Sequence, residues 1–139
     1  MLFSYEKNTL RTDIALLILR IAVGGMMLFS HGWGKMMKFF GEGPITFGNP
    51  IGIGEEASLV LTVFAELFCS ILLIIGLATR WATIPLMITM LVAIFIVHGA
   101  DPFGKKEFAL LYLIPYIVLL LTGAGRVSLD ALFNKTKNA

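Results

Sequence analysis

Residues 57–79 read ASLVLTVFAELFCSILLIIGLAT, an apolar run in which Glu66 is the only charged side chain. A membrane-spanning α-helix needs about 20 predominantly apolar residues, because each residue advances the helix by about 1.5 Å. The run is long enough to cross a bilayer. It therefore predicts a transmembrane helix that carries one carboxyl group in its interior.

Three further segments have a similar character: residues 14–31, 81–98 and 108–123, of which the last is short for a full crossing. The chain has 139 residues, of which 58% are hydrophobic and 14% charged. A soluble domain of this size has no core large enough to bury so much apolar surface. The sequence therefore predicts an all-α integral membrane protein, a four-helix bundle built from two antiparallel hairpins.

The connections complete this prediction of a single transmembrane domain over residues 1–139. Residues 32–56 are long and rich in Gly and Pro, and they are expected to form an ordered external loop over the bundle. His31-Gly32 and His98-Gly99 close the first and third predicted helices, with a Gly and a Lys shortly after each pair. This similarity suggests a weak parallel internal repeat of the two hairpins.

The distribution of basic residues predicts the orientation in the membrane. With four spans, both termini lie on the same side as the connection between the second and third helices. That side carries the basic residues Lys7, Arg11, Arg80, Arg126, Lys135 and Lys137. The positive-inside rule then places both termini in the cytoplasm and the long loop outside. The net charge of +2 and the absence of a basic patch argue against a nucleic-acid partner.

Arg20 and Glu66 are the ionisable residues inside the first two apolar runs. An ionisable side chain in hydrocarbon costs roughly 2.5–3.5 kcal/mol on insertion scales, so such residues face a protein interior and usually a partner. Along their helices the two residues differ in depth by about 5–10 Å. We expect them to pair, either as a structural device or to hold a quinone carbonyl, an anion or a proton path.

Further polar residues are expected at the outer end of the bundle. Arg20, His31 and Lys35 share one face of the first helix, and His98 and Asp101 follow the third. Tyr112 and Tyr116 lie four residues apart on the fourth helix and are expected deeper in the bundle than these outer polar residues. The sequence thus predicts a polar path from the outer surface to mid-membrane, without assigning a catalytic residue. The candidate functional residues are Arg20, His31, Lys35, Glu66, His98, Asp101, Tyr112 and Tyr116.

The residue types restrict the chemistry of this path. Cys69 is the only cysteine, so one chain forms neither a disulfide nor a CxxC redox pair. His31 and His98 lack the accompanying signatures of metal or haem ligation, such as Glu-x-x-His or CxxCH, so haem is disfavoured and no metal site is predicted. A quinone remains a candidate ligand, although the sequence does not identify a cofactor.

Several motifs together resemble the DoxX family of small bacterial membrane proteins. They are LLILRIAVGGMMLFSHGWGKM at residues 16–36, LLIIGLATRWA at residues 72–82 after Glu66, and His98 at the end of the third helix. The resemblance is strong over about residues 10–100. It implies a four-helix, multi-pass membrane bundle in the inner membrane of a bacterium. Relatives of the DoxD type are larger subunits of a thiosulfate:quinone oxidoreductase that work with a second protein, and other relatives are membrane partners in oxidative-stress complexes.

Three functions are consistent with these observations. The first is a quinone-linked redox subunit. It would act as an oxidoreductase only in a complex with a partner protein that delivers electrons. The second is a non-enzymatic membrane scaffold or assembly factor that recruits its partner through the outer loop. The third is a small proton-relay or permeation bundle whose histidines and carboxylates carry protons. In each case we expect the lipid bilayer as environment and either a protein partner or a homo-oligomer.

Overall fold

The computed structural model describes residues 5–137, with side-chain positions from residue 9 to residue 134. Regular secondary structure in this range is entirely helical. The first helix, α1, covers residues 5–40 and consists of four helical segments in direct succession: Tyr5–Met27, a π-helical segment Leu28–Gly32, Trp33–Met36 and a 3₁₀ turn Met37–Phe40. The later helices are α2 (Glu55–Ile75), α3 (Thr79–Val97), α4 (Phe103–Thr122) and α5 (Leu129–Lys137).

The first helix is longer than the predicted span 14–31, and the expected loop 32–56 is correspondingly shorter. Glycine lowers helix propensity without preventing a helix, and no proline interrupts the chain between His31 and Phe40. The helix ends at Gly41, whose backbone is extended. The connection to α2 therefore covers residues 41–54, and His31 lies within a helix and not at its end.

The helices meet the requirements for a multi-pass membrane protein. Three of them, Thr9–Phe40, Glu55–Ile75 and Thr79–Val97, are each long and apolar enough to cross a bilayer. The first turns of α4 carry Lys105, Lys106 and Glu107, and the apolar part of that helix follows them. The predicted all-α architecture with four principal helices is confirmed.

Helix pairing follows the two predicted hairpins. α1 packs on α2, and α3 packs along α4. At the α1–α2 contact, a methyl group placed on Gly24 would lie 2.9 Å from a side-chain carbon of Ile74, so this glycine permits the close approach expected of it. Gly76 ends α2 with a φ of 70°, a left-handed conformation that glycine adopts without strain, and the chain turns directly into α3.

Two apolar cores result. The larger lies between all four principal helices and includes the fully buried Leu73, Leu86 and Leu119. The smaller lies at the start of α2, next to the loop 41–54, where Leu59 and Val63 contact loop residues such as Phe47. The loop 41–54 is thus packed onto the bundle, and the two cores border the site described below.

The short helix α5 is an element that the sequence did not predict. Its residue Asp130 accepts hydrogen bonds from the backbone N–H groups of Ala78 (2.7 Å) and Thr79 (3.0 Å), which begin α3. The segment after α4 is therefore attached to the same end of the bundle as the α2–α3 connection. Of the basic residues counted for the orientation, Lys7, Lys135 and Lys137 have side chains outside the described range.

The proposed internal repeat rested on two helices that each end in His-Gly. In the structure only α3 is followed by its histidine, since Val97 is its last residue, whereas α1 continues past His31. A different similarity relates the two positions: His31 lies within a π-helical segment, and His98 directly follows one. The repeat itself stays a prediction.

Candidate functional site

Three of the four principal helices contain a π-helical segment. The segments are Leu28–Gly32 in α1, Phe64–Cys69 in α2 and Ala93–Val97 in α3. Such segments are rare, and they occur frequently at functional sites because the widened turn redirects side chains. The segment in α1 contains His31, the segment in α2 contains Glu66, and the segment in α3 directly precedes His98. All three residues line the same cavity. Nothing in the apolar sequence pattern indicated these widened turns.

The cavity lies between the four principal helices, at the end of the bundle that carries the loop 41–54, and has a volume of about 490 Å³. Most of its wall is apolar, with residues such as Met27, Met90 and Val92. The loop 41–54 contributes part of the wall, including Phe47 and Ile51. Polar side chains from all four helices also line it: His31, Lys35, Ser58, Thr62, Glu66, Thr89, His98, Lys105 and Tyr112.

Lys35 and Glu66 form an ion pair inside this cavity. The Lys35 Nζ atom lies 2.5 Å from Glu66 Oε2, and the Glu66 side chain is only 5% exposed. The pairing of Arg20 with Glu66 predicted from the sequence is therefore wrong. Lys35 follows Arg20 by fifteen residues on α1, about 22 Å along the helix, so the two cations lie at very different depths. Because α1 continues beyond His31, Lys35 is carried to the level of Glu66.

Arg20 instead binds backbone oxygens at the other end of the bundle. It is fully buried, and its Nη1 atom donates hydrogen bonds to the carbonyl oxygens of Leu73 and Ile74, both at 3.1 Å. Its Nη2 atom donates to the carbonyl oxygen of Val127 at 2.5 Å. The last carbonyls of a helix lack intrahelical partners and carry partial negative charge, so they suit a guanidinium. Arg20 does not line the cavity, and the predicted continuous path is divided into two separate polar clusters.

His98 and Asp101 form a second pair at the outer edge of the cavity. The His98 Nδ1 atom lies 2.7 Å from Asp101 Oδ2, and Lys105 Nζ lies 4.0 Å from the same oxygen. The hydrogen bond to His98, together with the positive charge of Lys105, lowers the pKa of the Asp101 carboxyl from its ordinary value. Because Asp101 occupies Nδ1, the other ring nitrogen of His98 is left for a ligand.

An aromatic row continues from the cavity into the core. The rings of His31 and Tyr112 meet edge to face with centroids 5.6 Å apart, and Tyr112 stacks on Tyr116 at 6.3 Å. Tyr112 lines the cavity, whereas Tyr116 is fully buried in the larger core. His31 is therefore held by an aromatic contact, and Tyr116 supports Tyr112 from behind.

The structure thus brings together most of the predicted site and adds to it. His31, Lys35, Glu66, His98 and Tyr112 line one cavity, and Asp101 contacts it through His98. Ser58 was not predicted as a site residue. It precedes Thr62 by four residues, as Thr62 precedes Glu66, so the three share one helix face, and this spacing was a usable signal. The lining residues Phe47, Gly48, Pro50, Ile51 and Ile53 were not identified, because loop conformation does not follow from spacing.

Comparison with known proteins gives a family match. A family model described as DoxX matches residues 15–99. The Bacillus subtilis protein named "Putative oxidoreductase CatD" is 36% identical over 126 residues, which cover 90% of this chain and 91% of the relative. A Haemophilus influenzae protein named "Uncharacterized protein" is 35% identical over 127 residues, 86% of this chain and 91% of the relative. A second Haemophilus influenzae protein with that name is 29% identical over 131 residues, 89% of this chain and 86% of the relative. No solved structure matches the chain significantly.

Proposed function

The chain belongs to the DoxX family, and we propose that this multi-pass membrane protein is a quinone-linked redox subunit that acts with a partner protein. The quinone ring would bind in the cavity between the four helices. The name of the Bacillus subtilis relative, which describes that protein as an oxidoreductase, supports a redox role.

One observation carries the proposal: an apolar cavity of about 490 Å³ that holds a small set of hydrogen-bonding groups. Ligand sites for small molecules are typically of this size and character. A quinone is a flat apolar ring with two carbonyl oxygens, so it requires apolar walls and a few well-placed donors. The widened π-helical turns at His31 and Glu66 support a specialised role for this place in the bundle.

The polar groups suit the chemistry of quinone reduction. Lys35 has three N–H donors, of which one is directed to Glu66, so the others are free to bind a carbonyl oxygen. Reduction of a quinone to a quinol adds two electrons and two protons, and both carbonyl oxygens become hydroxyls. The Lys35 ammonium, paired with Glu66 inside the cavity, and His98, held by Asp101 at its edge, are the groups that we assign to proton delivery.

The electrons must come from a second protein in this proposal. The one cysteine of the chain is buried Cys69, which is not part of the cavity wall, and the sequence contains no thiol pair or haem-binding motif. We further propose that the loop 41–54 and the cavity mouth face the outside of the bacterial inner membrane and that both termini are cytoplasmic. The positive-inside argument given above supports this orientation.

Equilibrium binding of decylubiquinone to the purified protein in nanodiscs tests the proposal. We expect saturable binding that weakens at least about tenfold in His31→Phe and in His98→Gln. His31→Phe retains an aromatic ring beside Tyr112 and removes the ring nitrogens, so it isolates the polar contribution. Arg80→Gln serves as control, since Arg80 binds the carbonyl oxygen of Leu121 at the opposite end of the bundle.

Equal binding by the wild type and both histidine variants would contradict the proposed site. Absence of binding, together with a protein that co-purifies with the tagged chain in mild detergent, would favour a scaffold over a redox subunit. The thermal stability of each variant must be measured in parallel, so that a loss of binding is not a loss of folding.

A further inference from the structure

Helices α2 and α3 are in close contact only along part of their length. The π-helical segment Phe64–Cys69 and the inner part of α2 pack on α3, whereas the outer segment Glu55–Val63 packs mainly on the outer part of α1. Going outward from Glu66, the two helices therefore diverge. The cavity occupies the space that opens between them.

Two apolar side chains mark the edges of this opening. Leu61 of α2 and Ile88 of α3 both line the cavity, and each is 54% exposed. A side chain that contacts the cavity and is also exposed lies at a boundary between the cavity and the surroundings. Both residues belong to helices that span the membrane, so the surroundings at this boundary are lipid.

The position of Ile88 gives the depth of the boundary. It is the tenth residue of Thr79–Val97, so it lies about 14 Å from the start of a helix that is about 28 Å long. The hydrocarbon core of a bilayer is about 30 Å thick. Ile88 is thus near the middle of the membrane, where the surroundings are hydrocarbon. A water-soluble compound has no access at this depth, whereas an aliphatic chain is readily accommodated.

We infer that the cavity takes its ligand from the bilayer, through a lateral portal between Leu61 and Ile88, and that the ligand carries a long hydrophobic tail. The ring lies among His31, Lys35 and Glu66, and the tail leaves through the portal into lipid. This inference rests on the proposed function and narrows the substrate to lipid-soluble, tailed quinones. Compounds with the same ring and no tail reach the cavity only through the outer mouth beside His98.

Blocking the portal tests this route. Leu61→Trp and Ile88→Trp each place a bulky ring at the portal, and Ile84→Trp is the matched control. Ile84 lies one turn from Ile88 on α3, is 39% exposed and is not part of the cavity wall. Two probes are compared in nanodiscs: decylubiquinone, which has a ten-carbon tail, and the tail-less 2,3-dimethoxy-5-methyl-1,4-benzoquinone.

We expect both portal variants to bind decylubiquinone at least about tenfold more weakly, with less than about a twofold change for the tail-less ring and none for Ile84→Trp. Unchanged decylubiquinone binding in both portal variants would overturn the portal, and so would an equal loss of both probes. Failure of the wild type to bind either probe would overturn the proposed function and the inference with it. If the wild type binds the tail-less ring, the proposed function is retained, and the portal variants then test the portal alone.

Discussion

A methyl group placed on Gly32 of α1 would lie 2.7 Å from the backbone oxygen of Glu66 on α2, so the two helices touch at this point through their backbones. Both residues belong to π-helical segments. The contact holds the last turns of α1 close to α2 and brings Lys35, three residues after Gly32, to the Glu66 carboxylate. The central ion pair of the cavity therefore depends on a residue that has no side chain.

Gly32→Ala is expected to destabilise the protein, whereas Gly34→Ala is not. A methyl group at Gly32 must displace backbone, and overpacking of this kind costs about 1–3 kcal/mol. A methyl group at Gly34 meets nothing within 4 Å, and alanine favours a helix by up to about 1 kcal/mol over glycine. Thermal unfolding in detergent should give a lower melting temperature for Gly32→Ala only. Similar melting of the two variants would show that the helices do not touch at Gly32.

Lys35→Met is expected to cost more stability than the double change Lys35→Met with Glu66→Leu. The single change leaves a buried carboxylate without its partner and should lower the free energy of unfolding by roughly 3 kcal/mol. This is the lower end of the range for a broken buried ion pair, because the Lys35 side chain is partly exposed. Replacing both charges with apolar groups is often neutral. Thermal unfolding of the two single variants and the double variant measures the coupling.

Lys38→Met is the matched control for this cycle. Lys38 binds the carbonyl oxygen of Thr46 at an exposed position and faces the Phe47 ring, and it has no contact with Glu66. Its replacement should change stability by less than about 1 kcal/mol, with no dependence on Glu66→Leu. A coupling energy near zero between Lys35 and Glu66 would contradict the ion pair.

Arg20→Met is expected to destabilise the protein by at least about 2 kcal/mol, because three backbone oxygens lose a charged donor. Its effect should add to that of Glu66→Leu within about 0.5 kcal/mol, since the two residues do not share a contact. Chemical or thermal unfolding of the single and double variants is the measurement. A clear departure from additivity would restore the Arg20–Glu66 pair predicted from the sequence.

Asp101→Asn is expected to lower stability at neutral pH and to have less effect in acid. Hydrogen bonding by His98, aided by nearby lysine charge, holds the pKa of Asp101 below its ordinary value of 3.8. A group with a lowered folded-state pKa contributes stability above its unfolded pKa and loses it as the pH falls through the folded value. The melting difference between wild type and variant should therefore shrink as the pH is lowered past 3.8. A difference that is constant with pH would contradict the prediction.

Labelling of single cysteines tests the proposed orientation. In a Cys69→Ala background, a membrane-impermeant maleimide added to intact spheroplasts should react with Gly43→Cys in the outer loop and not with Asn138→Cys, a position outside the described residues. The excess of basic residues on the terminal side is the physical reason. The reverse labelling pattern would place the cavity mouth in the cytoplasm.

The fold could be predicted from the sequence because its main determinant is local. A bilayer requires that each spanning segment satisfy its own backbone hydrogen bonds, so a long apolar run such as residues 57–79 specifies a helix without reference to its neighbours. The same reasoning found the ionisable residues Arg20 and Glu66, since any charge in such a run must face the protein interior. The end of the first helix does not follow from the sequence in the same way, because Gly32 and Gly34 weaken a helix without ending it.

The partners of these charges were decided only by the tertiary structure. Depth along a helix is fixed by residue number, but the relative height of two helices is set by packing contacts such as Gly32 on Glu66. With the helices at this relative height, Lys35 lies beside the Glu66 carboxylate, and Arg20 binds the carbonyl oxygens of Leu73 and Ile74. The π-helical turns likewise have no signature in an apolar sequence. Sequence alone therefore determined that Arg20 and Glu66 are buried between the helices, and helix packing determined which groups they meet.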